Sequence, residues 1–433
     1  MKSYILKSAQ LADGTETDIV IEDGVITALE AGAKLDAEVI DANGLMALGG
    51  FVDLHTHLRQ PGSEASETIL SGSKAAAKGG FTAVNAMANT SPVADNAAVV
   101  EMVFNLGIEA GYVEVQPIGA VTLDLAGEKL ADLGLMNSSK ANVRVFSDDG
   151  KCVSDSLLMR RALEYVKAFG GTIAQHAQDP SLTKDAQMNE GELSFKLGLA
   201  GWPASAEASI VARDVLLTEQ TGSKLHVCHV STKETVDVIR WAKQRGISVT
   251  AEVTPHHLIL TEDLVKEYNT VFKVNPPLRT KTDVMAVREA LADGTIDIVA
   301  TDHAPHPEES KDCEWAAAAN GMIGLENAAS VVITAMIDTK MMDWARFEEV
   351  MSSKPALIAG MAGQGKGIAI GTPANIVLLD PSISYEVIDE SESRSRNNPY
   401  LGMSLTGKIQ HVFFKGRQTV SSGKVLEIDR DND

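Results

Sequence analysis

The sequence predicts an α/β protein in which a closed (β/α)8 barrel of the TIM type carries a small β-sandwich domain built from both chain ends. Three observations predict it. From Gly50 onward the chain repeats strand, loop and helix eight times; the first fifty and last seventy residues instead alternate short apolar runs with tight turns; and nearly every strand of the middle ends on an ionisable or amide side chain. At 433 residues the chain has room for a barrel of about 250 residues or more plus a satellite domain. The expected boundaries are 1–49 and 365–433 for the small domain and 50–364 for the barrel.

The N-terminal runs SYILKSAQLADG, TDIVIEDGVITALE and AEVIDANGLMALGG read as strands, with Asp23-Gly24 as a hairpin turn. ANIVLLDP and KIQHVFFKGRQTVSSGKV resume the same texture near the C-terminus. Between them the barrel strands are expected at GFVDLH, GFTAVNAM, YVEVQPIGAV, NVRVFSDD, GTIAQHA, KLHVCHV, ISVTAEV and IDIVATD. Helical stretches such as ETILSGSKAAAKG, DSLLMRRALEYVKAFG, SIVARDVLLTEQTG, KETVDVIRWAKQRG and DVMAVREALADG separate them, each stopped by a glycine. The acidic stretch DESESRSRNNP and the terminal DRDND read as solvated loop and tail.

Composition narrows the function. A hydrophobic fraction of 44% and a charged fraction of 22%, with no 18-residue apolar run, are those of a globular chain without a membrane span. The N-terminal MKSYILKSAQLADGTE is polar where a secretory signal needs an apolar core, so a cytoplasmic protein is expected. Three scattered cysteines make neither a disulfide framework nor a thiolate zinc site. The net charge of -21 opposes nucleic acid, and an anionic small-molecule substrate would need concentrated local positive charge.

In such a barrel the C-terminal strand ends face the active site, so polar residues there call for a functional reading. His55 and His57 close the first strand, Asn89 follows the second, Asp148 and Asp149 close the fourth, His176 the fifth, His229 the sixth and Asp302 the eighth. Residues two apart in an extended segment project to one side, so His55 and His57 can grip one ion. Four histidines and two aspartates exceed one tetrahedral shell, and two ions fit: His55, His57 and Asp302 on one, His176 and His229 on the other, with Asp149 as a bridging carboxylate. Spacing alone leaves Asp148 open as the bridge. Imidazole and carboxylate without thiolate suit zinc, with manganese or cobalt as substitutes. His226 has the opposite parity to His229 and is expected to face the helix layer; His256 and His257 fall in a loop after the seventh strand, and His411 in the small domain. The loop from Ala304 to Gly321, with its polar HPEESKDCEW, reads as an exposed, mobile lid.

The stretches GGFVDLHTHLRQPGSEASETILSGSKAAAKGGFTAVNAMANTSPVADN and ATDHAPHPEES resemble the two signature regions of the dihydroorotase family; AEVTPHH, NPPLR and HVCHVSTKE are similar to its connecting motifs. FSDDG is similar to the subclass, common in bacteria, whose bridging ligand is an aspartate where others use a carboxylated lysine; the alignment favours Asp149, with Lys151 placed beyond the glycine. The resemblance implies that Arg59 and Asn89 bind a substrate carboxylate, that Asn275 and His306 contact substrate, that Asn320 and Gly321 belong to the loop lying on the substrate ring, and that Asp302 both ligates metal and shuttles the proton. Gln60, Ala88 and Asn320 depart from the usual glutamate, proline and apolar-aromatic residue, and none of these changes removes a ligand.

The activity so implied is the reversible cyclisation of N-carbamoyl-L-aspartate to L-dihydroorotate and water, in pyrimidine synthesis, with two zinc ions and a hydroxide held between them. The rivals are allantoinase or dihydropyrimidinase activity, and a non-catalytic homologue scaffolding aspartate transcarbamoylase. A homo-oligomer, and association with aspartate transcarbamoylase, are the expected macromolecular contacts.

Overall fold

The computed structural model describes residues 2–30, 32 and 36–428; the terminal DRDND lies outside them. The chain opens with β1 (Tyr4–Leu11), β2 (Glu16–Glu22), β3 (Val25–Leu29), β4 (Glu38–Asp41) and β5 (Met46–Gly49). Asp23 and Gly24 join β2 to β3 with φ of 48° and 82°. Positive φ at both central residues is what a two-residue antiparallel hairpin demands, and Asp-Gly supplies it at low cost. β16 (Ile376–Glu386), β17 (Ser404–Phe414), β18 (Arg417–Ser421) and β19 (Lys424–Val425) complete this sheet, because β16 pairs antiparallel with β5. Its hydrogen-bonded order is β19-β18-β17-β16-β5-β1-β2-β3, with β4 beside β1.

Period-two alternation gives this sheet two dry faces. Ala47, Ile376 and Leu378 join Tyr4, Leu6, Ile19, Ile21 and Phe413 in one core, while Met46, Leu48, Val377 and Leu379 pack with Phe51, Phe81, Ile333, Phe347 and Met351 of the barrel and its helices. A sheet apolar on both faces holds the chain ends against the barrel wall.

The barrel follows directly. β6 (Phe51–Thr56), β7 (Phe81–Ala86) and β8 (Glu114–Pro117) form one parallel ladder; β9 (Val145–Phe146), β10 (Thr172–Gln175), β13 (Leu225–Val227), β14 (Val249–Val253) and β15 (Ile298–Val299) form another. Between β10 and β13 lies a short parallel pair, β11 (Met188–Asn189) and β12 (Gly201–Trp202). Parallel bridges at Gly119 to Phe146 and at Thr56 to His303 close the two ladders into a ring of eight. Val52, Leu54, Ala83, Ile118, Val145, Ala174, Cys228, Ile298 and Ala300 fill the interior, and Ala356, Ala359 and Met361 plug its base. Val227, Val249, Ala251, Val253 and Val299 face outward onto helices.

β9 and β15 are shorter than the sequence suggests because carboxylates replace ladder carbonyls as acceptors at their ends. Asp148 takes the N–H groups of Val121 and Thr122, and Asp53 takes that of Thr301. A second departure concerns residues 389–399, expected as a solvated loop: Ser393, Ser395, Asn397 and Asn398 are buried at the barrel mouth, each hydrogen-bonded there. Among the described residues no helix is long and apolar enough to cross a membrane.

Arg279 of the NPPLR segment holds the loops of this end together from full burial. Its Nη1 donates to Asn189 Oδ1 and the Trp202 carbonyl at 2.8 Å each, and its Nε donates to Ser231 Oγ at 3.0 Å. Glu207, which accepts from Ser231 and Thr232, lies 4.0 Å from Nη2. Arg279→Met removes one partner of a buried pair, for which about 3–5 kcal/mol of stability is lost. Urea unfolding checks this, and a wild-type midpoint would refute it.

Candidate active site

The first strand delivers His55 and His57 through an irregularity. Val52 and Leu54 face the interior, so strict alternation would turn His55 outward; register shifts within β6, between Asp53 and Thr56, bring both imidazoles to the mouth. Their Nε2 atoms lie 3.4 and 3.3 Å from Asp149 Oδ2, and 3.4 and 3.0 Å from Asp302 Oδ1. Each ring is held from behind: His55 Nδ1 on Glu252 Oε1 at 2.6 Å, His57 Nδ1 on Asn89 Oδ1 at 2.9 Å.

The two aspartates of FSDDG point in different directions. Asp148 caps the end of β8, bound to Val121, Thr122 and the Thr122 hydroxyl, whereas Asp149 reaches the mouth. Asp149 Oδ1 sits 3.1 Å from His176 Nδ1 and 3.3 Å from His229 Nε2, and those two nitrogens are 2.9 Å apart. Lys151 is solvent-exposed beyond the turn.

His229 corrects a parity argument. Val227 faces the helices, so His229 would follow it outward; a left-handed backbone at His229, φ 33°, turns the ring into the mouth instead. Such a conformation costs a non-glycine residue of order 1–3 kcal/mol and persists where neighbours over-determine it. Here the His229 N–H is fixed on Glu252 Oε1 at 3.2 Å. His226, expected against the helix layer, faces inward: its Nε2 lies 2.9 Å from Glu252 Oε2 and its Nδ1 2.9 Å from Thr250 Oγ1. Asp302 also has a left-handed backbone, φ 47°.

Glu252 is the residue that the sequence reading missed. It is fully buried on β14 and serves His55, His226 and the backbone of His229 at once. One signal pointed to it: the lone charged residue of ISVTAEV lies between Ala251 and Val253, which are on the outer face. His256 and His257 open a short helix, Pro255–Ile259, rather than a loop; His257 Nδ1 lies 2.7 Å from Thr254 Oγ1, and burial lowers His256 to about 4. His411 lies in β17, with Gln418 Nε2 2.9 Å from its Nδ1.

The remaining candidates surround the same mouth. Arg59 Nε donates to the Pro305 carbonyl at 3.1 Å, which sets its terminal nitrogen 3.4 Å from His306 Nε2. Asn275 Nδ2 donates to Gln178 Oε1, which in turn lies 2.9 Å from His176 Nε2; Asn275 Oδ1 is buried without a partner. His306 Nε2 donates to the Asn320 carbonyl at 2.8 Å. Gly321 has φ 138°, and a Cβ there would come 2.8 Å from that of Ala304. The 304–321 loop is tied down rather than free: the Lys311 ammonium donates to the carbonyls of Thr270, Lys273 and Ala319 at 2.8–3.1 Å, and Lys273 donates to that of Trp315. Burial beside Lys273 lowers Lys311 to about 7.

Electrostatics explain what this cluster attracts. Burial disfavours charge on His55, but Asp149, Glu252 and Asp302 outweigh it and raise its pKa well above the ordinary value. Burial likewise opposes the charge of Asp302, and His55 and His57 hold it down at about 2. Two donor groups, His55–His57–Asp149 and Asp149–His176–His229, each keep their ligand atoms within 4.8 Å of one another and share Asp149. His55 Nε2 is buried without a hydrogen-bond partner. An orphaned imidazole nitrogen facing carboxylates is the donor set of a divalent cation, so these residues fit a metal.

A dihydro-orotase-like family model matches residues 44–235. The chain is 61% identical to a dihydroorotase from Leifsonia xyli, over 98% of each chain, and 58% identical to one from Streptomyces coelicolor, over 98% of this chain and all of that one. This chain belongs to the dihydroorotase family. Another family member, from Mycobacterium tuberculosis, is 49% identical over 95% of this chain and 97% of its own. Among solved structures, the L-hydantoinase (dihydropyrimidinase) of Arthrobacter aurescens superposes with a TM-score of 0.88 at 25% identity, covering 99% and 98% of the two chains. A dihydropyrimidinase from Brevibacillus agri, at 23% identity and TM-score 0.83, covers 98% of this chain and 96% of its own and shares the fold.

Burial opposes the Glu252 charge, but His55 and His226 hold its pKa well below the usual carboxylate range. A depressed folded pKa gives stability that is full above the unfolded value, about 4.3, and is lost as pH falls below it. The stability advantage of wild type over Glu252→Gln is therefore expected to be largest near neutrality and to shrink in acid. Denaturant titrations at pH 7 and pH 3.5 check the sign, and an advantage that grows in acid would refute it.

Proposed function

We propose that this chain catalyses the reversible cyclisation of N-carbamoyl-L-aspartate to L-dihydroorotate and water at a centre of two divalent ions. The observation that carries the reading is the Asp149 carboxylate shared between two histidine pairs, beside the half-buried Arg59 held on the Pro305 carbonyl. His55, His57 and Asp302 would hold one ion, His176 and His229 the other, with Asp149 between them. The donors suit zinc, with manganese or cobalt as substitutes. When bound, such ions polarise a carbonyl and lower the pKa of water toward 7.

The chain's own residues do the rest. Arg59 and the amide of Asn89 bind the substrate carboxylate, which answers the long-range repulsion of a chain of net charge -21. Asn275, His306 and the Asn320–Gly321 backbone orient the ring. Asp302, a carboxylate whose pKa is about 2, accepts the proton of the attacking water and delivers it to the ring nitrogen that leaves in the hydrolytic direction.

The proposal extends to organisation. The barrel spans 50–364 and the small domain 1–49 and 365–433, a division supported by the passage from β5 to β6 at Gly49–Phe51. Three cysteines without disulfides support a cytoplasmic setting. Self-association is supported by exposed Phe195 and Leu357, and association with aspartate transcarbamoylase is carried by family alone.

Turnover of dihydroorotate, allantoin and dihydrouracil side by side tests the activity, with turnover confined to dihydroorotate expected. In the same assay Arg59→Met should lose about 2–5 kcal/mol of transition-state stabilisation, the cost of truncating one partner of a desolvated charge pair. Wild-type kcat/KM in that variant would reopen the substrate.

Metal analysis tests the centre. Wild type should hold two ions per chain, Asp149→Ala should lose metal and activity, and Lys151→Ala should lose little of either. Full activity with a single ion, or recovery of metal-stripped wild type only with bicarbonate, would overturn the assignment.

A further inference from the structure

Residues 393–397 lie against the barrel mouth as a strap in which alternate side chains are buried. Ser393, Ser395 and Asn397 point in, while Arg394 and Arg396 point out to solvent. The inward face is polar because it meets a polar rim. Ser393 Oγ and the Arg394 N–H donate to Glu67, a buried carboxylate that also accepts from Ser71 Oγ and lies 3.3 Å from His303 Nε2. Ser395 Oγ donates to the Ser66 carbonyl at 2.7 Å.

Asn397 does something different from its neighbours, because its side chain spans both limbs of the 304–321 loop. Nδ2 donates to the carbonyls of Ala304 at 3.0 Å and Gly321 at 3.1 Å, and Oδ1 accepts the His306 N–H at 3.3 Å. Its own carbonyl accepts the Ile323 N–H at 3.1 Å. One buried amide thus uses both donors and its acceptor on a single loop, and no water is needed to complete it. The limbs it joins are in tight contact at Ala304 and Gly321. Within them the His306 ring is set by its bond to the Asn320 carbonyl, across the loop, so the ring's aim depends on the distance between limbs.

We propose that Asn397 is a positioning residue: it clamps the two limbs so that the His306 ring is presented to the substrate in one geometry. The inference rests on the functional reading above, in which His306 and Gly321 contact substrate. Asn397 touches neither the donor cluster nor Arg59, so its loss should act on substrate binding and leave metal in place.

The test is a double-mutant cycle in the full-length, metal-loaded enzyme, with Asn397→Ala, His306→Ala and the pair assayed on dihydroorotate. Asn397→Ala should raise KM about tenfold with kcat within about threefold of wild type. Metal content should equal that of wild type. In the His306→Ala background the same change should add less than about a twofold effect, because the group it acts through is gone. Effects that multiply, or a wild-type KM in a folded Asn397→Ala variant, would overturn the inference while leaving the functional reading intact. A wild-type chain inactive on dihydroorotate would instead overturn that reading and this inference with it. If Asn397→Ala does not fold, Asn397→Ser, which keeps one donor, is read by the same two criteria.

Discussion

Four imidazoles within 3.4 Å of one carboxylate, that of Asp149, is the arrangement on which the rest of the barrel mouth depends. Ionisable groups at this density pay heavy desolvation and persist only if every one is oriented. The orientation comes from beneath: Glu252 holds the His55 ring and the His229 backbone N–H, Asn89 holds the His57 ring, and Gln178 the His176 ring. Those supports are themselves pinned, Glu252 by the packed interior of the barrel and Gln178 by Thr183 and Asn275. The order of causes runs from barrel packing to supporting side chain to donor cluster.

The fold was legible because period and punctuation agree along the chain. Eight apolar strands alternate with glycine-ended helices, and Asp23-Gly24 announces its hairpin. His55, His57, His176 and the aspartates were legible for a related reason, since polar residues that end buried strands have few other uses. His229 was found as a residue, but the reason it reaches the mouth was not visible: alternation predicts an outward ring, and only the left-handed turn at that position reverses it. The same break in parity misplaced His226, which follows the regular strand into the interior.

What escaped the sequence has one character. Glu252 and the Ser-Arg-Ser-Arg-Asn strap are polar groups buried against other polar groups, and hydropathy cannot distinguish a polar residue facing water from one facing a polar rim. In the strap both faces are hydrophilic, so its two-residue alternation carries no apolar signal at all. The 304–321 loop is exposed at Glu308, Glu309, Asp312 and Glu314 as its composition suggests, and only Lys311 departs, spending its three N–H bonds on backbone carbonyls.

The strap also imposes an order of events on synthesis. A ribosome completes the barrel strands long before residue 393 appears, and chains fold from their N-terminal end as they emerge. Until then β5 lacks its neighbour β16, Glu67 lacks two of its donors, and the limbs flanking His306 are unclasped. The nascent barrel can assemble its donor cluster but not the wall beside it, so a segment made long after the barrel strands finishes the barrel's mouth.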